Sequence, residues 1–343
     1  MKIAITGGAG FIGSHLTRAY LDAGHDVFVI DTLLNGSRKA VDPRARFYHV
    51  DIRDGKLRNL FLLERPDLVS HHVAQRESVL PGERSLADAD VHVRGLLNVL
   101  DSCVGASVGK VMFASGGNTL YRQMSVECLP VAEDAPLCPQ RPRDISTIAG
   151  EWYVRYYGRQ YGLQYTTLRY ADVYGETDGE LAQHPLSYIV QKLLAGQRPI
   201  IRGAAKEVRD HVFIDDVVRA NLYALERGRN TTLHISSGHG YTLEQFYGAA
   251  AHLLQCEIVP EYMPASNGSS LATSAVVLDN RLAWRVLGWC PEVHFSEGVQ
   301  RAVERLSVLR LTLPDPFPSP SDRVPARDAI TASMPSLVAA GER

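Results

Sequence analysis

The chain has 343 residues, 45% of them hydrophobic and 22% charged, with a formal net charge of −2. That balance suits one large or two closely joined soluble domains, and it disfavours nucleic acid or an acidic membrane surface as the main partner. No apolar run is long enough to cross a bilayer and the chain starts directly in a strand-like segment, so a cytoplasmic location is expected. The five cysteines (Cys103, Cys128, Cys138, Cys256, Cys290) are scattered without a C-x-x-C pair. They read as reduced thiols, neither a disulfide framework nor a zinc site.

In chain order, Met1–Thr6 reads as a strand, followed at once by Gly7-Gly8-Ala9-Gly10-Phe11-Ile12-Gly13. Ser14 to Gly24 then has helical spacing, with Leu16, Tyr20 and Ala23 on one face. Gly7, Gly10 and Gly13 form a G-x-x-G-x-x-G dinucleotide turn. The first glycine permits the tight turn, the second lets backbone approach a pyrophosphate, and the third lets helix and strand pack closely. The phosphates would sit on the helix N-terminus. The second strand, Val27–Ile30, ends in Asp31, which would accept hydrogen bonds from an adenosine ribose and repel a 2′-phosphate, favouring NAD over NADP. The polar stretch 32–37, with Asn35, suits the ribose side. A third strand, Arg46–Val50, leads to Asp51 and Ile52. Asp51 would accept from the adenine amino group while Ile52 covers the ring; the alternative is an aspartate capping the next helix.

Leu68–Ala74 is a further strand, and alternating strands and helices through residue 115 indicate a doubly wound parallel sheet. The strand Lys110–Ala114 ends in Ser115-Gly116-Gly117-Asn118. Ligands bind beyond the carboxyl ends of such strands, so this loop should border the reacting centre. Thr166–Tyr174 reads as one strand, residues 179–184 as a lid-like loop, and 186–195, 215–227, 242–254 and 280–287 as helices. From about Thr312, Pro314, Pro316, Pro318 and Pro320 mark an irregular tail.

Several stretches together resemble the extended short-chain dehydrogenase/reductases of the NAD-dependent sugar epimerase/dehydratase group, near the UDP-glucose 4-epimerases. They are GGAGFIGSHL (7–16), Asp31 with Asn35, DIRD (51–54), VHVRGLLNVLDS (91–102), AGEWYVRYY (149–157), LRYADVYG (168–175), RDHVFIDDVVRANLYALERG (209–228) and LGWCP (287–291). The resemblance implies a Rossmann-type NAD-binding domain over 1–165, with a returning segment at about 207–235. A smaller C-terminal substrate domain over 166–206 and 236–311 would follow, with the tail at 312–343 outside both. It implies a homodimer through helices at about 92–103 and 147–160. It also places Ala74, Arg76, Ser115 and Tyr170 beside the cofactor, and 202–210 as a substrate loop.

The family's chemistry rests on a Tyr-x-x-x-Lys pair and a Ser or Thr near the end of the preceding strand. Alignment on Ala149-Gly150-Glu151 puts Arg143 at the tyrosine position and Thr147 at the lysine position, while Gly117 takes the Ser/Thr position. An arginine stays protonated and cannot serve as the base, though it can hold a carboxylate or phosphate. Tyr121 and Asp144 are candidate surrogates, with His71 or His72 beside them; the alternatives are packing for Tyr121, a helix N-terminal role for Asp144 and a structural role for His71. His92, where the family has asparagine, reads as a satisfied buried histidine. On the substrate side, Asp172 replaces an asparagine that touches the nucleotide diphosphate, and Arg209 matches a diphosphate-contacting arginine. Three functions stay open: an atypical NAD-dependent epimerase or dehydratase acting on a nucleotide sugar or related polyhydroxylated substrate, a non-redox isomerase, cyclase or lyase using the same pocket, and a catalytically silent NAD-binding partner protein.

Overall fold

The computed structural model describes residues 1–74, 84–121, 129–175, 184–202, 205–263 and 275–309. The amino-terminal half runs β1 (Lys2–Thr6), α1 (Phe11–Asp22), β2 (Asp26–Asp31), β3 (Arg46–His49), α2 (Lys56–Glu64), β4 (Leu68–His71), α3 (Arg84–Ala89), a π-helical turn (Asp90–Gly95), α4 (Leu96–Gly105) and β5 (Lys110–Gly116). Next come α5 (Pro142–Tyr161), β6 (Gln164–Tyr170), β7 (Asp172–Tyr174), α6 (Pro185–Leu194), β8 (Ile200–Arg202), β9 (Val208–Phe213), α7 (Ile214–Glu226) and β10 (Thr231–Ile235). The chain continues through β11 (Gly240–Tyr241), α8 (Leu243–Leu253), β12 (Glu261–Met263), β13 (Ala275–Val276), α9 (Arg281–Leu287) and α10 (Phe295–Leu309). The proline-rich tail and Arg76 lie outside the described residues, as does most of the 179–184 loop.

Seven strands form a parallel sheet in the order β10-β6-β5-β4-β1-β2-β3. Chain order reverses on either side of β1, so the carboxyl ends of β1 and β4 diverge into a crevice, the usual ligand position in such sheets. The strands are continuous apolar runs because helices cover both faces: Ile3, Ala4 and Ile5 of β1 and Val27 to Ile30 of β2 are all buried. Leu16 and Tyr20 of α1 pack into this core, but Ala23 is exposed, because the helix ends at Asp22 and Ala23 only caps it.

The expected strand Thr166–Tyr174 is two strands. It breaks at Ala171, whose N–H donates to the Ile235 carbonyl, and β7 then joins a second sheet by pairing in parallel with β9. Because β6 lies inside the seven-stranded sheet, that sheet extends past the expected boundary at residue 165. The second sheet is β11-β9-β13, with β7 paired to β9.

Helix α5 is fixed by a buried ion pair. Glu151 accepts two hydrogen bonds from Arg169 of β6, at 2.8 and 2.7 Å, and one from the Ser115 hydroxyl at 2.6 Å. Both charges are almost fully buried, and removing one partner of such a pair costs several kcal/mol, of order 3–5. Arg143 and Thr147 precede Glu151 by two turns and one turn, so this anchor sets where they point. Among the described residues, no helix is long and apolar enough to cross a membrane.

Candidate active site

A cavity of about 900 Å3 opens at the carboxyl ends of β1, β2, β4 and β5 and continues toward β7 and β9. At its cofactor end, Gly7 has φ +76°, and a Cβ there would lie 2.6 Å from the His72 carbonyl oxygen. A Cβ on Gly13 would lie 2.3 Å from the Gly7 carbonyl oxygen. Side chains are excluded at both, and the backbone cradle stays open. Gly10 is the N-cap of α1 and gives it no side-chain cap, leaving N–H groups of the first turn for an anion. Asp31 is held by two backbone donors, Ala9 N–H at 3.0 Å and Leu33 N–H at 2.8 Å. Asn35 donates to the Ala74 carbonyl at 3.4 Å. Phe11, Ile12, Ile52, Ser115 and Tyr170 line the same space.

Asp51 also lines it, but the structure gives its carboxylate a partner the sequence reading did not foresee. Arg53 grips it through Nε at 2.9 Å and a terminal nitrogen at 2.6 Å, and that pairing holds the Asp51 carboxyl below its usual range. The capping alternative does not hold, since the N-cap of α2 is Gly55. Arg53 reaches on to Asp90 in the π-helical turn at 2.6 Å.

Arg143, Thr147 and Gly117, which alignment puts at the Tyr/Lys/Ser positions, all line the cavity. Thr147 donates its hydroxyl to the Arg143 carbonyl at 2.8 Å. Gly117 is more than a missing hydroxyl: its N–H donates to the Tyr170 carbonyl at 2.7 Å, and a Cβ would sit 2.6 Å from that same oxygen and from Leu278 Cδ1.

The two surrogate bases are accounted for otherwise. Tyr121 does not line the cavity; it is 4% exposed in the core, donating to or accepting from His234 Nε2 at 2.6 Å and accepting from Arg169. Burial pushes its phenol up to about 12. Asp144 reaches the cavity wall, but it closes a capping box with Arg141, receiving the Arg141 backbone N–H at 3.2 Å and its guanidinium Nε at 3.1 Å. That is the helix N-terminal role.

The substrate half holds a pair 37 positions apart in sequence. Arg209 Nε lies 2.9 Å from Asp172 Oδ2 and a terminal nitrogen 3.3 Å from Oδ1. The β7–β9 pairing brings them side by side, with Asp172 in register with His211. The carboxylate that would repel a diphosphate is thus answered by the arginine that would bind one.

The cavity also collects groups the sequence did not single out as site residues: Asn118, Thr119, Arg141, His184, Glu207 and His211. His184 accepts from Leu186 N–H at Nδ1 (3.1 Å), so its Nε2–H donates to His211 Nδ1 at 3.0 Å. Burial keeps both rings neutral, with His211 lowered to about 4. Sequence signals existed for Asn118, beside Gly117, for His184, ending the expected loop, for Glu207, inside the expected 202–210 substrate loop, and for His211, inside the 209–228 stretch. His92 is buried as expected, yet faces the cavity with Nε2 3.6 Å from Asp88 Oδ1. Burial first, and the Arg143 charge second, lower it to about 3. His71, hydrogen-bonded to the Thr6 hydroxyl at 2.7 Å and stacked on Phe113, and His72 are likewise lowered to about 3 by burial.

The profile of the NAD dependent epimerase/dehydratase family matches residues 3–236. The chain belongs to that family. It is 34% identical to a putative UDP-glucose 4-epimerase of Methanocaldococcus jannaschii over 305 residues, covering 88% of this chain and 97% of the relative. It is similar to the UDP-glucose 4-epimerase of Lacticaseibacillus casei, at 33% identity over 85% of this chain and 92% of the relative. Among solved structures, the UDP-glucose 4-epimerase of Thermotoga maritima with UDP-glucose superposes with a TM-score of 0.83 at 34% identity, covering 89% of this chain and 98% of the other. The Thermus thermophilus UDP-glucose 4-epimerase in complex with NAD gives 0.81 at 31% identity over 89% and 98%. As an epimerase/dehydratase-family enzyme, the protein takes NAD as cofactor, and the glycine cradle, bare helix N-terminus and Asp31 fit it. Replacing Asp31 with asparagine keeps the side-chain shape but removes its charge. The variant should lose about tenfold of its preference for NAD over NADP, read as the ratio of the two dissociation constants by fluorescence titration.

Proposed function

We propose that this epimerase/dehydratase-family enzyme acts on a nucleotide sugar, as its UDP-glucose 4-epimerase relatives do by name, without the Tyr/Lys pair. The observation that carries this reading is one continuous cavity. It joins a dinucleotide cradle to a second half lined by Arg209, His184 and His211, with Arg143 and Thr147 at the junction. Bound in that cradle, NAD supplies a hydride acceptor. Gly7, Gly10, Gly13, Asp31 and Asn35 would hold it, with Ser115 and Tyr170 on the wall toward the reacting end.

The chain's own groups define what happens to the proton. Arg143 is a fixed cation, so it binds and orients an anionic or hydroxyl-bearing part of the substrate but takes no proton. Among the neutral imidazoles that line the cavity, His92 is the one that feels Arg143. An imidazole lowered to about 3 is a weak acceptor at neutral pH. Negative charge of the substrate set against Arg143 would relieve its field on His92 and make that ring a better one. Turnover of an ordinary UDP-hexose is therefore expected to be slow.

The test is 1H NMR of the NAD-loaded protein with a panel of UDP- and dTDP-sugars, including UDP-glucose, in deuterated water. New anomeric signals support the reading. Unchanged spectra across the panel would sink it and favour non-redox chemistry or a silent partner, for which the fixed charge at position 143 is the supporting observation.

The Asp172–Arg209 pair makes a separate expectation. Asp172→Asn removes the carboxylate that competes with a diphosphate for Arg209 and should tighten UDP-glucose binding about tenfold by calorimetry. Unchanged or weaker binding would show that Arg209 does not meet the diphosphate. The reading includes a homodimer through α4 and α5, supported by the exposed apolar face of α5 at Ile145, Trp152 and Tyr156.

A further inference from the structure

Two arginines meet the cavity from different elements. Arg209 stands on β9 against Asp172, at 2.9 Å, in the half that would take the diphosphate. Arg143 comes from α5, as the second residue of that helix, and is half-buried on the cavity wall. It lines the same space as His92 of the π-helical turn, whose ring feels its charge. A diphosphate already has Arg209 to meet it, so a second cation calls for a second anion. A half-buried guanidinium set against a neutral sugar hydroxyl keeps its charge uncompensated, at a cost that an anion in the same place removes.

We propose that Arg143 clamps a carboxylate carried by the sugar, so that the substrate is a nucleotide-linked hexuronate and not a neutral hexose. The nucleotide part rests on the nucleotide-sugar reading; the demand for an anion at Arg143 does not. A guanidinium offers two parallel N–H donors matched to a planar carboxylate. On a hexose, a carboxylate at C6 replaces a hydroxymethyl group of similar size, whereas a phosphate ester adds a bulky group to the ring. The same contact sets negative charge against Arg143 and relieves its field on His92. The substrate that binds best is then also the one that makes that ring a better proton acceptor. A neutral hexose does neither, in keeping with the slow turnover expected of UDP-glucose.

The experiment measures calorimetric dissociation constants of NAD-loaded protein for UDP, UDP-glucose and UDP-glucuronate, the last two differing only at C6. The wild type should bind UDP-glucuronate at least tenfold more tightly than UDP-glucose. Arg143→Leu should bring those two to equality and leave UDP unchanged, a pattern that a purely structural role would not produce. Arg143→Gln provides the same comparison if the leucine variant does not fold. Arg143→Lys should keep only part of the preference, because a point charge lacks the fork. A wild type without the preference, a preference that survives loss of the charge, or equal weakening of all three ligands would overturn the proposal. If UDP does not bind the wild type either, the nucleotide-sugar reading fails by itself. The Arg143 Nε–H resonance, assigned by its absence in the leucine variant, then decides during titration with methyl glucuronoside: a shift supports the clamp and silence overturns it.

Discussion

Replacing Arg143 with tyrosine and Thr147 with lysine should raise 4-epimerisation of UDP-glucose at least a hundredfold over the wild type, followed by the anomeric signals of UDP-galactose. The expectation rests on geometry. Both positions lie on the cavity face of α5, and the Glu151–Arg169 pair that sets the helix is untouched by the exchange. A positioned general base contributes about 10²- to 10⁴-fold. The lysine one turn away would favour the phenolate by its charge. Neither substitution should suffice alone: tyrosine without lysine keeps a phenol too weakly acidic, and lysine without tyrosine adds only a second cation beside Arg143. Adding Gly117→Ser should reduce the gain rather than complete it. The new Cβ would meet the Tyr170 carbonyl oxygen at 2.6 Å, and forcing extra atoms into such a contact costs typically 1–3 kcal/mol. A double variant that is folded and NAD-loaded yet inert would mean that the substrate half has diverged too. The remedy would then be Asp172→Asn in the same chain.

What the sequence made legible was set by local rules. The glycine turn, Asp31 and the first strands follow from spacing alone, because a dinucleotide turn needs its glycines, strand and helix in contiguous sequence. The substituted positions 143, 147 and 117 were found by counting from Ala149-Gly150-Glu151 and from Tyr121, and the structure puts all three on the cavity wall. Long-range pairings were not legible. Tyr121 looks like a loop residue until its hydroxyl is seen against His234, 113 positions away. Asp172 looks like an unpaired charge until β7 leaves the main sheet and lies beside β9, a break that the strand-like stretch from Thr166 to Tyr174 does not announce. A short-range case is the grip of Arg53 on Asp51, two residues away, which depends on side-chain direction that spacing does not give.

Stability should fall steeply as the pH drops below about 6.5, well before the paired carboxylates protonate. Four buried histidines carry this expectation: His71, His92 and His234 lowered to about 3, and His211 to about 4, in each case chiefly by burial. In the unfolded chain each would titrate near the ordinary 6.5. Below that value the unfolded state therefore binds more protons than the folded one. The stabilisation is fully present above pH 6.5 and is lost as the pH falls toward the folded values. At pH 5.5 each ring contributes a little over 1 kcal/mol of loss, so the four together remove on the order of 5 kcal/mol, a large part of a typical total. The carboxylates of Asp51 and Asp279, held low by Arg53 and Arg281, lose their partners only below the usual carboxylate range, so they do not shape this window. Urea unfolding between pH 7.5 and 5 measures the slope, and His92→Asn should flatten it by close to one proton. A midpoint that does not move over that range would show that these rings take up protons in the folded state, and with them the neutral character assigned to His92 beside Arg143 would fall.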